Sequence, residues 1–221
     1  MFRSGVGKLI HLMKWSRPDV LNAVHDLTRQ MSAATMCHVK AMKRVMTYLT
    51  ATPKQGLTLK PSEKWGGSKE FEFMISGFSD LDFAKEPTEW KSVSGWAVFL
   101  NGAPISMSSK MQDCMTLSVT EAELVAATAC VQDMLFSMRL MESIGLTVKK
   151  PMILMVDNKG AKDLANNWSV GGRTRHIDVR YYFLRKRKEA GLVQMVWQHD
   201  LFTKNLDGPM FRCHANVFCS E

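Results

Sequence analysis

Residues 71–111 read FEFMISGFSDLDFAKEPTEWKSVSGWAVFLNGAPISMSSKM. Three runs in this stretch have the apolar and small-residue pattern of strands: 71–80, 92–100 and 103–111. Asn101-Gly102 between the last two is the dipeptide of a tight hairpin turn. Strands joined this closely predict an antiparallel meander. Asp80 is expected to close the first of them.

Beyond the meander the period changes. Leu124, Ala127, Val131, Met134, Met138 and Met141 recur at three- and four-residue spacing, which predicts a long helix over 119–143 ending at Gly145. Residues 152–156 (MILMV) are wholly apolar and read as a buried central strand. A helix over 159–166, a very basic helix over 176–190 and a last strand over 192–197 complete the order βββ-α-β-α-α-β. That is a mixed α/β domain. Upstream, residues 1–49 read as helical, with Val39, Met42, Val45, Met46 and Leu49 on one face. Pro53, Gly56, Pro61, Gly66 and Gly67 punctuate 51–69, where Gly56-Leu57-Thr58-Leu59 suggests a short extended piece. A boundary is expected at 63–68.

Four carboxylates stand where elements start or stop. Asp80 ends the first strand, Glu123 opens the long helix, Asp157 follows the apolar strand and Asp200 follows the last strand. Ligands of α/β sheets gather at one end of the strands. Acids massed there would repel one another unless a cation intervenes, and hard oxygen donors select Mg²⁺ or Mn²⁺. Two such ions can cleave a phosphodiester, one activating water and the other stabilising the leaving oxygen. Any one strand-end Asp, taken alone, reads more readily as a turn residue or helix cap. Asp82 and Glu121 compete for the same roles. Glu121 and Glu123 cannot share a helix face, and Glu123 borders the apolar stripe through Leu124.

Charge divides the chain. Its formal net charge is +8, and residues 1–64 carry it all, with 11 Lys/Arg against 3 Asp/Glu. Composition is that of an ordinary globular protein, 46% hydrophobic and 23% charged, which excludes a disordered or fibrous chain. No run approaches the roughly 18 apolar residues of a membrane span, and no signal peptide is visible. The 5 cysteines are scattered and odd in number, which argues against a secreted disulfide framework. Cys213 and Cys219 have no partner pair for zinc and read as incidental thiols. A reducing, intracellular setting is expected. Residues 173–188 hold seven Arg/Lys against Asp178 alone, interleaved with Tyr181, Tyr182 and Phe183. Such a stretch suits a phosphate backbone; equally, it suits a solvated helix with its aromatics in the core.

Several motifs resemble one family. Ser79-Asp80-Leu81-Asp82-Phe83-Ala84, Lys91-Ser92-Val93-Ser94-Gly95-Trp96 and Ile105-Ser106-Met107-Ser108-Ser109-Lys110-Met111-Gln112 resemble the ribonuclease H region of copia-type LTR retrotransposon polyproteins. So do Leu117-Ser118-Val119-Thr120-Glu121-Ala122-Glu123-Leu124, Val156-Asp157-Asn158-Lys159-Gly160-Ala161, Arg173-Thr174-Arg175-His176-Ile177-Asp178 and Asp200-Leu201-Phe202-Thr203-Lys204. Trp15-Ser16-Arg17-Pro18-Asp19-Val20 and His38-Val39-Lys40-Ala41-Met42-Lys43-Arg44 resemble the end of the same family's reverse transcriptase. Any one alone is weak; together and in order they are specific.

The resemblance implies a ribonuclease H-like fold: a five-stranded mixed sheet, its first three strands antiparallel, with helices on both faces and a small helical segment before it. It implies residues 1–66 as a basic remnant of a reverse transcriptase, 70–207 as the nuclease domain and 208–221 as a tail. It carries the catalytic and metal-binding roles onto Asp80, Glu123, Asp157 and Asp200, with two Mg²⁺ or, in their place, Mn²⁺. Nucleic-acid contacts fall to Ser79, Gln112, Asn158, Arg173, Arg175, His176 and Arg180, where side chains can meet minor-groove edges, 2′-hydroxyls or phosphates. The implied partner is an RNA–DNA hybrid, together with the rest of a reverse transcriptase, and no membrane. The implied location is a cytoplasmic virus-like particle or the nucleus. Three features depart from the family. Only Gln198 and His199 separate Trp197 from Asp200, His stands at 199 where Ala is usual, and no Tyr-x-Asp-Asp motif is present. The chain is therefore expected to be a truncated copy and not a whole polymerase. Its alternative reading is a nucleic-acid-binding remnant that no longer cuts.

Overall fold

Helices take the first fifty residues because their apolar side chains recur every three or four positions. The structure, a computed structural model, describes residues 1–68, 70–82, 91–116, 118–157, 175–197 and 219–220; at 82, 175–178, 197 and 220 the description is of the backbone alone. The chain divides into two compact units, 1–58 with 205–221, and 59–204.

In the first unit, α1 (Phe2–Trp15) buries Val6, Leu9 and Met13. A single 3₁₀ turn (Pro18–Val20) leads into α2 (Leu21–Arg29), which buries Val24 and Leu27. After it, α3 (Met36–Ala51) adds Met42 to the same core. The bend between α1 and α2 is fixed by Arg17. Its guanidinium donates in a fork to the two oxygens of Asp19 at 2.9 and 2.7 Å, and to the carbonyl of Thr52 at 2.9 Å. Tyr48 Oη donates to Asp19 Oδ2 at 2.8 Å. Arg17 and Asp19 are both buried, where an ion pair is tolerated only when hydrogen-bonded as fully as this one. The short extended piece expected near Gly56 is β1 (Gly56–Leu57), and it pairs antiparallel with β9 (Cys219–Ser220).

The second unit is built on the meander. The strand expected over 71–80 is two strands, β2 (Glu72–Phe73) and β3 (Ile75–Asp82). Met74 breaks the run because its N–H donates to Asn101 Oδ1 at 2.7 Å and its carbonyl accepts from Asn101 N at 2.8 Å. The first piece instead runs parallel to β6 (Thr147–Val148). Asp80 therefore lies within β3, two residues before its end. Next come β4 (Val93–Leu100) and β5 (Ala103–Met111), joined by Asn101 and Gly102, whose φ values of 48 and 82 are those of a type I′ turn. A long helix, α4 (Val119–Ser143), precedes β7 (Met152–Val156). Finally α5 (Arg175–Glu189) leads into β8 (Val193–Trp197). The helix expected over 159–166 lies outside the described residues.

The main sheet has order β5-β4-β3-β7-β8. β3, β4 and β5 are antiparallel, and β7 and β8 add in parallel on the other side of β3. This is the ribonuclease H-like sheet. One face packs on α4, with Ile75, Val98, Leu154 and Val156 meeting Leu124, Val131, Met134 and Met138. Each such buried side chain contributes about 2 kcal/mol of transfer free energy. Among the described residues α4 is the one helix long and apolar enough to cross a membrane, but much of that apolar surface lies in this core. One polar clamp joins the layers: Trp96 Nε1 and Ser106 Oγ both donate to Asp133 Oδ2, at 3.2 and 2.5 Å.

Candidate metal centre

Sheet register sets the site. β3 and β7 run parallel with Ser79 opposite Val156. One step further along each chain stand Asp80 and Asp157, so the strands deliver two carboxylates to one end of the sheet. Glu123 arrives from the opening turns of α4. Oxygens of Asp80, Glu123 and Asp157 all lie within 4.8 Å of one another. Asp80 and Glu123 are 1% and 3% exposed, and Asp157 is half-buried.

Such a trio has a physical consequence. Two like charges about 4 Å apart repel by about 4 kcal/mol at an effective dielectric of about 20. The Leu81 N–H, donating to Asp80 Oδ1 at 2.7 Å, answers only part of that charge. Three hard oxygen donors from three elements fit a divalent cation such as Mg²⁺ or Mn²⁺. Glu121 is not one of the three acids whose oxygens converge. Ser118 Oγ accepts from Glu121 N at 3.1 Å, so Glu121 sits at the third helical position, and Glu123 faces the strands.

The other expected residues fall differently. Ser79 is fully buried on β3 and Gln112 is buried just past β5. Neither side chain is presented to solvent. Arg180 on α5 is half-buried, with its two terminal nitrogens 3.5 and 3.6 Å from Cys114 Sγ. Arg175 and His176 lie in the first turn of α5, described by backbone alone. Asp200, Asn158 and Arg173 lie outside the described residues.

No protein-family model matches the chain. Similar curated proteins are the retrovirus-related Pol polyprotein from transposon RE1 of Arabidopsis thaliana, 32% identical over 100% of this chain and 14% of that protein, and that from transposon TNT 1-94 of Nicotiana tabacum, 34% identical over 84% of this chain and 13% of that protein. The chain belongs to the copia-type transposon Pol family. This Pol-family chain spans about one seventh of the length of those relatives. It is also 35% identical to secreted RxLR effector protein 161 of Plasmopara viticola, over 60% of this chain and 87% of that protein. Among solved structures, ribonuclease H1 of the halophilic archaeon Halobacterium salinarum NRC-1 aligns over 66% of the chain and 94% of its own, with a TM-score of 0.39 and 13% identity. The foamy viral protease–reverse transcriptase in complex with RNA/DNA hybrid aligns over 91% of the chain and 25% of its own, with a TM-score of 0.46 and 13% identity.

In this Pol-family chain two buried arrangements escaped the sequence reading. One is the Arg17–Asp19–Tyr48 network, whose Arg-Pro-Asp spacing was visible but whose partner on α3 was not. The other is the side chain of Gln112, which reaches from β5 to α4.

Proposed function

We propose that the chain is a ribonuclease H-type endonuclease that cuts the RNA strand of RNA–DNA hybrids. The observation that carries this reading is the trio of Asp80, Glu123 and Asp157, gathered within 4.8 Å from three elements. The sheet order and membership of the Pol family support it. Asp80, Glu123 and Asp157, with Asp200 as the expected fourth acid, would hold two Mg²⁺, for which Mn²⁺ substitutes. Bound ions would supply the polarisation of the scissile phosphate and the acidification of an attacking water. The chain's own part is to hold the acids in register and to keep Asp80 and Glu123 away from bulk water. The basic helices of the first unit, and Arg173, Arg175, His176 and Arg180 along α5 and its approach, are proposed to grip the phosphate backbone. The rest of a reverse transcriptase is the proposed protein partner.

The test uses labelled hybrid and duplex DNA of one sequence. Mg²⁺-dependent cleavage of the hybrid alone is expected. Asp157→Asn should lower the rate by at least about 10²-fold with an unchanged melting temperature. Full activity in that variant would refute the assignment. The two-residue link before Asp200 favours a second reading, in which the chain binds nucleic acid without cutting it. Tight hybrid binding with no cleavage in either Mg²⁺ or Mn²⁺ would establish that one instead.

A further inference from the structure

We propose that Gln112 is a positioning residue that fixes Glu123 relative to Asp80, an inference that rests on the trio being a divalent-cation site. Gln112 is 5% exposed. Its backbone N–H donates to the Ser92 carbonyl at 2.8 Å, which anchors it beside β4. Its side-chain nitrogen donates to Ser94 Oγ at 2.8 Å and to the Ala122 carbonyl at 2.9 Å. Those bonds use both amide hydrogens and fix the amide's orientation, because a flipped amide would set Oε1 against another carbonyl oxygen.

The two partners give the bond its meaning. Ser94 stands opposite Leu81, one step from the Asp80–Gly95 pair. Ala122 immediately precedes Glu123. One amide therefore joins the strand beside Asp80 to the helical turn that carries Glu123. The apolar contacts between α4 and the sheet are non-directional. The clamp of Trp96 and Ser106 on Asp133 grips α4 ten residues beyond Glu123, which leaves the first turns free to make small slides and rotations. A hydrogen bond to a backbone carbonyl of the first turns does not. The Gln112 Oε1 atom accepts no hydrogen bond among the described residues. A buried carbonyl without a donor is destabilising, so an apolar side chain would serve better if packing were the only task. The polar side chain is explained by what its nitrogen holds.

The test is made on the full chain. Gln112→Met keeps the length of the side chain and removes both donors. Mn²⁺ binding, followed by titration calorimetry and by the resonance of free Mn²⁺, should weaken about tenfold, as for other hydrogen bonds behind a metal ligand. Cleavage should lose kcat, while KM for the hybrid stays within about twofold. Wild-type Mn²⁺ affinity and kcat in Gln112→Met would overturn the proposal. The carboxyl ¹³C signal of Glu123, recorded without metal, separates this inference from the reading beneath it. If the wild type shows no Mn²⁺ binding that Asp80→Asn abolishes, the cation reading fails and the signal still decides the positioning. A displaced or broadened signal in Gln112→Met supports it, and an unchanged one overturns it. If Gln112→Met does not fold, Ser94→Ala removes one bond and leaves the other. It should weaken Mn²⁺ binding about threefold and move the same signal, and no change in either would overturn the proposal.

Discussion

Glu121 and Glu123 stand two residues apart near the start of α4, on different faces of the helix, and it is Glu123 whose carboxylate joins Asp80 and Asp157. The cap at Ser118 places Glu121 at the positive end of α4, where a carboxylate is favourable. Glu123, two residues on, is left to the strands. That much was legible, because Leu124 sets Glu123 at the edge of the apolar stripe while Glu121 lies on another face. Gln112 was not, because its partner Ala122 lies across a loop and an amide gives no sign in sequence of where it points. The burial of Ser79 was not legible for the same reason: a small polar residue beside an Asp gives no sign in sequence of how deeply its strand face lies. His25 offers a test at this scale. Burial, and then the charge of Arg29, hold its pKa below the ordinary 6.5. The folded chain thus takes up a proton less readily than the unfolded one. Stability is fully present above pH 6.5 and is lost as pH falls toward the folded value. Urea melts from pH 7.5 to 5 should show this decline, and His25→Gln should flatten it; an equal decline in both would place the acid sensitivity elsewhere.

At the scale of elements, periodicity located nearly everything that tertiary contacts do not redirect. The long helix and the apolar strand fall at the expected residues, 119–143 and 152–156. Each has a pattern set by its own burial, one stripe for α4, and for β7 one face buried and the other half-buried. The strand over 71–80 failed where a distant residue intervened, since Asn101 claims the backbone of Met74 and ends the ladder. The register of β3 on β7 was also out of reach, although it is what brings Asp80 and Asp157 together. Gly77 shows how closely α4 rides on that register. A Cβ there would stand 2.5 Å from Met134 Sδ and 2.7 Å from Cys130 Sγ. Met134 can swing aside, but the short Cys130 side chain cannot. Gly77→Ala should therefore cost about 1–3 kcal/mol in denaturant melts. Combined with Cys130→Ala, which removes the sulfur that cannot give way, the loss should be smaller than the sum of the two single changes. Simple additivity would show that β3 and α4 are not held as closely as the geometry requires.

Across the whole molecule, charge and structure divide along similar lines. The net excess of +8 belongs to residues 1–64, and the acidic trio belongs to the unit that starts at Leu59. α1 and α3 contain no acid at all, so their cations are not answered along their own helices. On α3 the exposed cations are Lys40, Lys43 and Arg44, while the same helix buries Met42. A helix built this way can lose its charges without losing its core, and alanine keeps helix propensity high. If these side chains contact phosphates, each displaces roughly 0.9 of a counterion from a duplex. The triple variant Lys40→Ala, Lys43→Ala, Arg44→Ala should then lower the slope of log affinity against log salt by about 2–3, read by fluorescence anisotropy on labelled hybrid. Cleavage at saturating hybrid should stay at the wild-type rate, because none of the three belongs to the acidic centre. A slope unchanged by the triple variant would mean that the basic excess serves another partner. A lost cleavage rate with an unchanged slope would mean that these residues act on the acidic site and not on the backbone of the hybrid.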